Sequence, residues 1–535
     1  MEEVPRSGWS KFVFYARNSG PGWIQAAVTL GGGTLVSALY LGVIGGYNYM
    51  WLQPLAMFCG VVMLAALGYV TLSQDNPADR PFRLVEKCIS PSLAWAWLLA
   101  TVIANVVFCA SQFALATDAI QGNFGAEDLN PYLITGVLAI ISMFLIKLFS
   151  AEGRISNIIQ TVIKLMVMLV VMAFLGVTIV LIANGAVDWS LLLKGFVPDF
   201  TMLFEPSETF RPFIESSSDN SSFWNKYIID NQRNIIIGAF GTAVGINMTF
   251  LLPYTLFKKK WGKPQREMAR YDLVFGLFFP FIISASCLII STASQFHGQK
   301  DSIVNKQAYN EVLDVKLASD IEGYHALAHP QKEQYRSMAS QEDKDLSILL
   351  AKRNANDLAT ALQPFLGHWS QVIFGIGILA MAMSTMLVHM MINGYAIKEA
   401  VGYPEGSKWF LIGAALPAIS GCLSPFIWSG SIKAAIVVPA SVIATTLLPI
   451  AYLSFILLIN SRKVLGDELP VNRIGINILM GIALLVAFFA SGWALIGKLS
   501  SVNNYEHYFG VVGIGGLIIL CIMAIRGFII NERVK

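Results

Sequence analysis

The chain has 535 residues, of which 55% are hydrophobic and only 13% are charged. Soluble domains carry about 25% charged residues, so this composition excludes an ordinary soluble protein and indicates one that lies in a lipid bilayer. The formal net charge is only +3, and the basic residues lie mainly in loops, so the sequence gives no reason to expect a nucleic-acid partner.

Twelve apolar segments are each long enough to cross about 30 Å of hydrocarbon as a helix. They lie near 20–45, 48–72, 92–117, 131–150, 155–183, 233–257, 272–295, 369–396, 408–427, 432–460, 474–497 and 507–530. The first segment is followed by many others, so it is predicted to be a retained span and not a cleaved signal peptide. The expected fold class is an all-α membrane protein with about 12 transmembrane helices.

The order of these segments predicts two similar halves and two extra helices. The predicted parts are a cytoplasmic N-terminus (1–19), a first five-helix repeat (20–183), an outer loop (187–232), a second five-helix repeat (233–460) that contains another outer loop (296–368), and two extra helices (474–530). The charge run from Glu342 to Asp345 in the second loop is expected to be solvated.

Basic residues cluster in the loops that share the side of the N-terminus when twelve spans are counted. Because cytoplasmic loops are enriched in Lys and Arg, both termini are predicted to be cytoplasmic, in the plasma (cell inner) membrane. The clusters include Arg6, Lys11, Arg17, Arg80, Arg83, Lys87, Lys147, Arg154, Lys258, Lys259, Lys260, Arg462, Lys463, Arg526 and Arg533.

The first span is predicted to be a broken helix. Three successive glycines, Gly31, Gly32 and Gly33, stand at its middle and are followed by Thr34. Each glycine weakens a helix by about 1 kcal/mol relative to alanine, so the helix is expected to unwind there. The alternative is that these glycines only allow close helix packing, which does not require three in a row.

The sixth span shows a similar interruption at the matching position of the second half. Gly238, Gly241 and Gly245 precede Asn247 in an otherwise apolar stretch. Interrupted helices in corresponding positions of two repeats indicate a substrate site at the middle of the membrane. Unwound backbone at that depth is tolerable only where protein or a cavity satisfies it.

Several short motifs occur at a spacing typical of one transporter family. They are Gly20-Pro21-Gly22, Gly42, Gly46-Tyr47, Trp51, Leu362-Gln363-Pro364-Phe365-Leu366-Gly367, Leu448-Pro449 and Ser461-Arg462-Lys463. Over about residues 15 to 465, outside the two outer loops, the chain resembles the NRAMP (natural resistance-associated macrophage protein) family of metal transporters. The resemblance implies a leucine-transporter-type fold, a 5+5 inverted repeat in which helices 1 and 6 are broken.

The metal-binding motifs of that family do not carry over. The family's first broken helix reads Asp-Pro-Gly-Asn, and the matching residues here are Gly31 to Thr34. The family's Met-Pro-His in the sixth span corresponds to Gly245, Ile246 and Asn247, and its acidic residues in the third span correspond to Val102 and Asn105. Carboxylate, thioether and imidazole ligands are therefore missing, and a dehydrated Mn²⁺ or Fe²⁺ ion is a poor candidate substrate.

Few ionisable residues remain inside the predicted spans. Asp118 and Glu399 lie near helix ends, where solvated carboxylates are expected, and His389 is the only imidazole embedded in the interior of a predicted span. Lys164 lies about ten residues into the fifth span, where it is either a built-in cation that replaces a coupling ion or a side chain that reaches the headgroups. Asn105, Lys164 and His389 are the candidates for ion coupling.

A site made of backbone N–H groups, hydroxyls and amides is expected instead. Its predicted residues are Gly31, Gly32, Gly33, Thr34, Ser37, Thr242, Gly245 and Asn247. Exposed N–H groups at the N-terminus of a half-helix suit a carboxylate, and amino-acid permeases of the same superfamily are similar in their glycine-rich first break.

Three hypotheses about function remain open at this point. The first is a secondary transporter of a small non-metal solute such as an amino acid or another carboxylate. The second is a transporter of a hydrated divalent cation such as Mg²⁺, as the family name implies. The third is a transport-inactive membrane receptor. The sequence contains no Walker A, HExxH or GxSxG-type motif, so no enzymatic activity and no cofactor is expected; the oligomeric state is not readable.

Overall fold

The computed structural model describes residues 8–76, 78–151, 153–217, 220–302, 305–427, 430–499 and 504–533. Within these ranges all regular secondary structure is helical, as the composition predicts. We number the long helices by the predicted spans, and use a and b for the two halves of a broken one.

The helices of the first half begin with a pair separated by a break. They are helix 1a (Pro21–Thr29), helix 1b (Gly32–Gly45), helix 2 (Leu52–Leu72), helix 3 (Pro91–Asp118), helix 4 (Pro131–Ser150) and helix 5 (Arg154–Ala183). A short helix, Gly8–Asn18, precedes them, and another, Pro81–Cys88, connects helices 2 and 3.

The second half repeats this order, with its own broken pair first. Its helices are 6a (Ser221–Ala243), 6b (Ile246–Lys258), 7 (Arg266–Leu273 and Phe279–Phe296, joined by a π-helical turn), 8 (Trp369–Ala400), 9 (Lys408–Cys422) and 10 (Gly430–Asn460). Helices 11 (Arg473–Leu499) and 12 (Asn504–Arg533) follow. Helix 6a starts at Ser221, inside the segment predicted as an outer loop.

Length and hydropathy support membrane insertion. Nine helices of the described chain are long and apolar enough to span a bilayer, and helices 1a and 1b make a tenth span bent by 58°. Helix 9 is apolar but has only 15 residues, and the sixth span is divided into helix 6a of 23 residues and helix 6b of 13 residues. With helices 6 and 9 counted as well, the described helices account for all twelve predicted segments.

Helix 8 lies at the centre of the bundle and helices 11 and 12 lie at its edge. The most apolar stretch of helix 8 is 78% buried, whereas those of helices 11 and 12 are each 22% buried. Helix 8 packs against helices 1a, 3, 5, 6b and 9. It therefore contacts both broken helices, which positions its middle beside the two breaks.

The polar segment 296–368 forms a helical cap. Its helices are Lys306–Asp320, His329–Met338, Gln341–Leu350, Ala355–Ala361 and Gln363–Leu366. The prediction that Asp343 is solvated is wrong, because its carboxylate is buried and accepts hydrogen bonds from Trp224 Nε1 at 2.7 Å and Asn220 Nδ2 at 3.0 Å. These contacts tie the cap to helix 6a.

A buried ion cluster closes the end of helix 8 on the side of the N-terminus. Glu399 is fully buried, so the expectation that it is solvated is wrong. Its carboxylate pairs with Arg80 Nε at 2.6 Å and Arg83 Nε at 3.0 Å, and it accepts a hydrogen bond from the Tyr254 hydroxyl at 3.1 Å. The cluster joins helices 6b and 8 to the short helix before helix 3.

Candidate functional site

The first break is shorter than the three glycines predict. Only Leu30 and Gly31 leave the helical conformation, and Gly32 already begins helix 1b. The backbone N–H of Gly32 donates a hydrogen bond of 2.9 Å to Oε1 of Gln112 in helix 3. A side chain from another helix therefore satisfies the first donor of helix 1b, so the helix can restart at once.

The next two N–H groups along helix 1b belong to Gly33 and Thr34. Among the described residues, no hydrogen-bond acceptor meets the backbone N–H of Gly33 or Thr34. The Thr34 hydroxyl donates across the break to the carbonyl of Thr29 at 2.5 Å. Helix 1b therefore presents two available donors and the positive end of its dipole beside the break.

The second break lies at Val244 and Gly245, close to the predicted position. Both residues have extended backbone, and Gly245 is the N-cap of helix 6b. The N–H of Met248 donates to the carbonyl of Gly245 at 3.1 Å and to Oδ1 of Asn247 at 3.0 Å. Asn247 thus caps the start of its own helix with its side-chain oxygen.

A cavity of about 490 Å³ lies between the two breaks. Residues of helices 1b, 6a, 6b and 8 line it, together with helices 2, 3, 10 and 11. The lining includes Gly31, Gly33, Thr34, Gly245, Asn247 and His389 of the predicted site. The structure therefore brings these six residues together around one space, which we call the central cavity.

The described lining of the central cavity carries no Asp, Glu, Lys or Arg. Its polar side chains are hydroxyls, amides and the imidazole of His389, and most of the remaining wall is apolar. Within the described part of the chain, no group of three or more His, Cys, Asp or Glu side chains is placed to hold a metal ion. The cavity is therefore electrically neutral along this lining.

Three buried asparagines connect the cavity to helices 3 and 8. Asn247 Nδ2 donates to Asn105 Oδ1 at 3.0 Å, and Asn105 Nδ2 donates to Asn393 Oδ1 at 3.0 Å. Asn393 Nδ2 reaches the carbonyl of Val102 at 3.4 Å. We call this chain of contacts the asparagine chain. It couples the start of helix 6b to the two central helices through neutral groups.

Helix 8 contributes two polar side chains to the cavity, one turn apart. The hydroxyl of Thr385 lies 2.7 Å from the carbonyl of Ala27 and 2.8 Å from that of Met381. His389 is 3% exposed, and its Nδ1 atom is buried without a partner among the described residues. Helix 8 thus fixes helix 1a through Thr385 and presents an unpaired imidazole through His389.

The other predicted site residues lie outside the cavity lining. Gly32 and Asn105 hydrogen-bond to Gln112 and Asn247, which line the cavity. Ser37 is half-buried further along helix 1b. The ammonium group of Lys164 lies 4.9 Å from the Trp23 ring and 3.5 Å from the carbonyl of Ala16, near the start of helix 1a. The side chain of Thr242 lies outside the described residues.

Sequence reasoning named Asn105 of helix 3 and His389 of helix 8, but it missed the other side chains of these helices and the wall formed by helix 11. Gln112, Thr385 and Asn393 have no motif that marks them, although Thr385 and His389 are four residues apart and therefore share a helix face. The wall formed by helix 11 includes Ala483, Ala487, Ala490, Ser491 and Trp493. Helix 11 belongs to the pair predicted as two extra helices beyond the repeats, and its residues form part of the cavity wall.

Comparisons with known proteins agree on the fold. The model of the natural resistance-associated macrophage protein-like family matches residues 22–322 and 346–497, and no curated protein matches the chain in sequence. The manganese transporter of Eremococcus coleocola, in complex with an aromatic bis-isothiourea-substituted compound, matches with a TM-score of 0.68 and 14% identity over 100% of this chain and 97% of that one. A mutant of that transporter matches with a TM-score of 0.67 and 13% identity, over 99% and 97% of the two chains. At this identity the similarity shows the fold alone, which is of the leucine-transporter type.

Proposed function

Because the chain belongs to the natural resistance-associated macrophage protein (NRAMP) family and has its transporter fold, we propose that it is a secondary transporter. Its proposed cargo is a small organic solute with a carboxylate, such as an amino acid. The observation that carries the proposal is the neutral central cavity between the two helix breaks. Size, charge and the direction of the half-helices each support it.

The size of the cavity favours an organic molecule. Its volume of about 490 Å³ falls within the range of about 300–1,000 Å³ that is common for small-molecule sites. A dehydrated metal ion needs only a small cage of ligands at about 2.0–2.6 Å. The apolar wall, which includes Ala483 and Ala487 of helix 11, suits the hydrocarbon part of an organic solute.

The charge of the lining disfavours a bare divalent cation. Such an ion must exchange its water for several oxygen or nitrogen ligands, usually with a carboxylate that offsets its charge. No carboxylate stands in the described lining, and the amide of Asn247 already donates to Asn105. A dehydrated Mn²⁺ ion would therefore lose its hydration without a compensating negative charge.

The half-helices offer complementary groups for a carboxylate and an ammonium group. Helices 1b and 6b begin at the cavity, so their N–H groups and positive dipole ends favour an anion. Helices 1a and 6a end there, and their last carbonyls favour a cation. An amino acid carries both charges and matches both pairs of helix ends.

A hydrated divalent cation is the second candidate. The two solved structures named above are of a manganese transporter, and this chain belongs to the NRAMP family. A hydrated ion fits a cavity of this volume and finds hydroxyl oxygens on Thr29, Thr34 and Thr385. This candidate requires that the ion keeps its water.

The experiment that separates these candidates is a ligand screen on the purified protein in detergent. Thermal-shift measurements with the twenty amino acids and the straight-chain C2–C6 monocarboxylates should give stabilisation by at least one compound. Titration calorimetry with Mn²⁺ and Mg²⁺ should give no saturable heat. Saturable binding of Mn²⁺ without any organic hit would refute the proposal, and binding of Mg²⁺ alone would favour the second candidate.

Further proposals concern location and chemistry. We place the protein in the plasma membrane, or cell inner membrane, with both termini in the cytoplasm, on the basis of the basic loops. We also propose that it has no enzymatic activity and that its coupling, if it is active transport, uses an ion gradient. Protease protection of a C-terminal tag in sealed vesicles would test the orientation.

A further inference from the structure

His389 is a buried polar group for which the described residues supply no hydrogen-bond partner. It lies in the middle of helix 8, lines the central cavity and is 3% exposed. Neither ring nitrogen hydrogen-bonds to a described residue, and Nδ1 is buried. Buried polar groups in proteins nearly always have partners, so the contents of the cavity must supply one for this imidazole.

The described residues around His389 place no charged side chain in the cavity lining. The other titratable groups in the described lining are Cys59 of helix 2 and Tyr452 of helix 10. Charged residues on helix 8 and on the elements packed against it are Asp118, Lys147, Arg154, Lys164, Asp357, Lys398, Glu399, Lys408 and Lys258. None of these lines the cavity; Lys164 contacts Trp23 and Ala16, and Glu399 pairs with Arg80 and Arg83.

We propose that His389 takes up one proton together with the carboxylate of the solute, so that the protein is a proton–carboxylate symporter. This inference rests on the proposed function and names its coupling ion. The proton comes from water on the open side and adds to the lone pair of a ring nitrogen. The carboxylate enters as an anion, the bound pair of imidazolium and carboxylate is neutral, and both the proton and the anion leave on the other side.

Electrostatics gives the reason for this coupling. A carboxylate within a few ångströms favours the charged form of an imidazole, and the helix N-termini at the breaks hold the anion in place. An unpaired negative charge inside the membrane is costly. A carboxylate paired with an imidazolium crosses the membrane without movement of net charge. The protein offers no fixed cation in the described lining, so for a carboxylate without an ammonium group the proton is the positive charge that can accompany the anion. An amino acid brings its own ammonium group, so the monocarboxylates of the panel are the cargo for which this coupling is expected.

The test is the pH dependence of ligand binding by the full-length protein. Affinities for the same panel, the twenty amino acids and the C2–C6 monocarboxylates, are measured at about pH 5.5 and 7.5 for the wild type. Uptake of one proton per ligand tightens binding up to about tenfold per pH unit, or about 100-fold across this interval. In His389→Gln this dependence should vanish while weak binding remains, and His368→Gln, at the exposed start of the same helix, should behave like the wild type.

A second measurement on the unmodified protein covers the case in which His389→Gln does not fold. Adding a panel compound to wild-type protein in weak buffer with a pH indicator should show uptake of one proton per bound molecule. Binding that is independent of pH, or that takes up no proton, overturns the role of His389 while leaving the proposed function intact. Absence of binding by every panel compound overturns the proposed function and this inference together.

Discussion

The side-chain amide of Asn247 in helix 6b donates a hydrogen bond of 3.0 Å to Oδ1 of Asn105 in helix 3. In the NRAMP family the sequence resemblance assigns an imidazole and an acidic residue to these two positions. Here the pair is neutral, and it continues to Asn393 in helix 8. Amides do not titrate near neutral pH. The asparagine chain therefore joins helices 3, 6b and 8 through groups that cannot carry a proton.

Removing the middle of the asparagine chain should destabilise the protein. Asn105→Leu leaves Asn247 Nδ2 and Asn393 Oδ1 buried without their partners, and each such loss costs about 1–3 kcal/mol. We expect a clear fall in melting temperature in detergent. Asn184→Leu is the matched control, because Asn184 lies exposed at the end of helix 5 and donates only to the carbonyl of Val180. Equal melting temperatures for the two variants would show that the buried chain contributes nothing to stability.

Filling the cavity at the first break should abolish ligand binding without unfolding the protein. A Cβ atom on Gly33 would meet no atom within 4 Å, and the residue lines the cavity. Gly33→Val therefore adds volume where the solute is expected and changes the stability by less than about 1 kcal/mol. The readout is the thermal shift with the organic panel.

The control for that variant is Gly136→Val in helix 4. Gly136 has equally open surroundings but lies outside the cavity lining. It should keep the ligand response of the wild type. If Gly33→Val binds panel compounds as well as the wild type does, the site lies elsewhere.

The sequence predicted the broken helices because glycine clusters and apolar length are local signals. It overestimated the length of the first break, because the hydrogen-bond acceptor that allows helix 1b to restart belongs to Gln112, which is 80 residues away from Gly32 in the chain. Asp343 and Glu399 were expected in water for a similar reason. Their partners, Trp224 and Arg80, are distant in the chain, and no local pattern marks such pairs.

The helical cap formed by residues 296–368 should loosen as the pH falls. Burial raises the pKa of Asp314, but hydrogen bonds from Arg336 and Tyr324 outweigh this, and the net pKa lies below its ordinary value of 3.8. A carboxyl group with a lowered pKa in the folded state contributes stability that is present above 3.8 and is lost as the pH falls through the folded value.

Hydrogen exchange of the helix Lys306–Asp320 is the measurement for this prediction. Its protection should fall in the wild type as the pH is lowered below about 3.8. In Asp314→Asn the protection should already be low at neutral pH and should change little on the same acidification. A wild-type helix whose protection stays at its neutral-pH level throughout an acid titration far below pH 3.8 would contradict this role of the Asp314–Arg336 pair.

The last prediction concerns Asp272 of helix 7, which holds the start of helix 1a. Its buried carboxylate accepts hydrogen bonds from the backbone N–H groups of Gly20 at 3.0 Å and Gly22 at 2.6 Å, and from the hydroxyl of Ser19. A carboxylate at a helix N-terminus satisfies orphan donors and complements the helix dipole. A Cβ atom on Gly22 would lie 2.0 Å from the carbonyl oxygen of Asp272, so this contact requires glycine.

Asp272→Ala removes these acceptors and should free the start of helix 1a from helix 7. We expect hydrogen exchange of the amides in Pro21–Thr29 to accelerate at least about tenfold, which corresponds to about 1.4 kcal/mol. Asp272→Asn keeps one acceptor oxygen and should lie between the wild type and Asp272→Ala. Asp467→Ala, an exposed carboxylate after helix 10, serves as the control and should leave this exchange unchanged. Unaltered exchange in Asp272→Ala would mean that other contacts, such as that of Thr385 with Ala27, hold helix 1a in place.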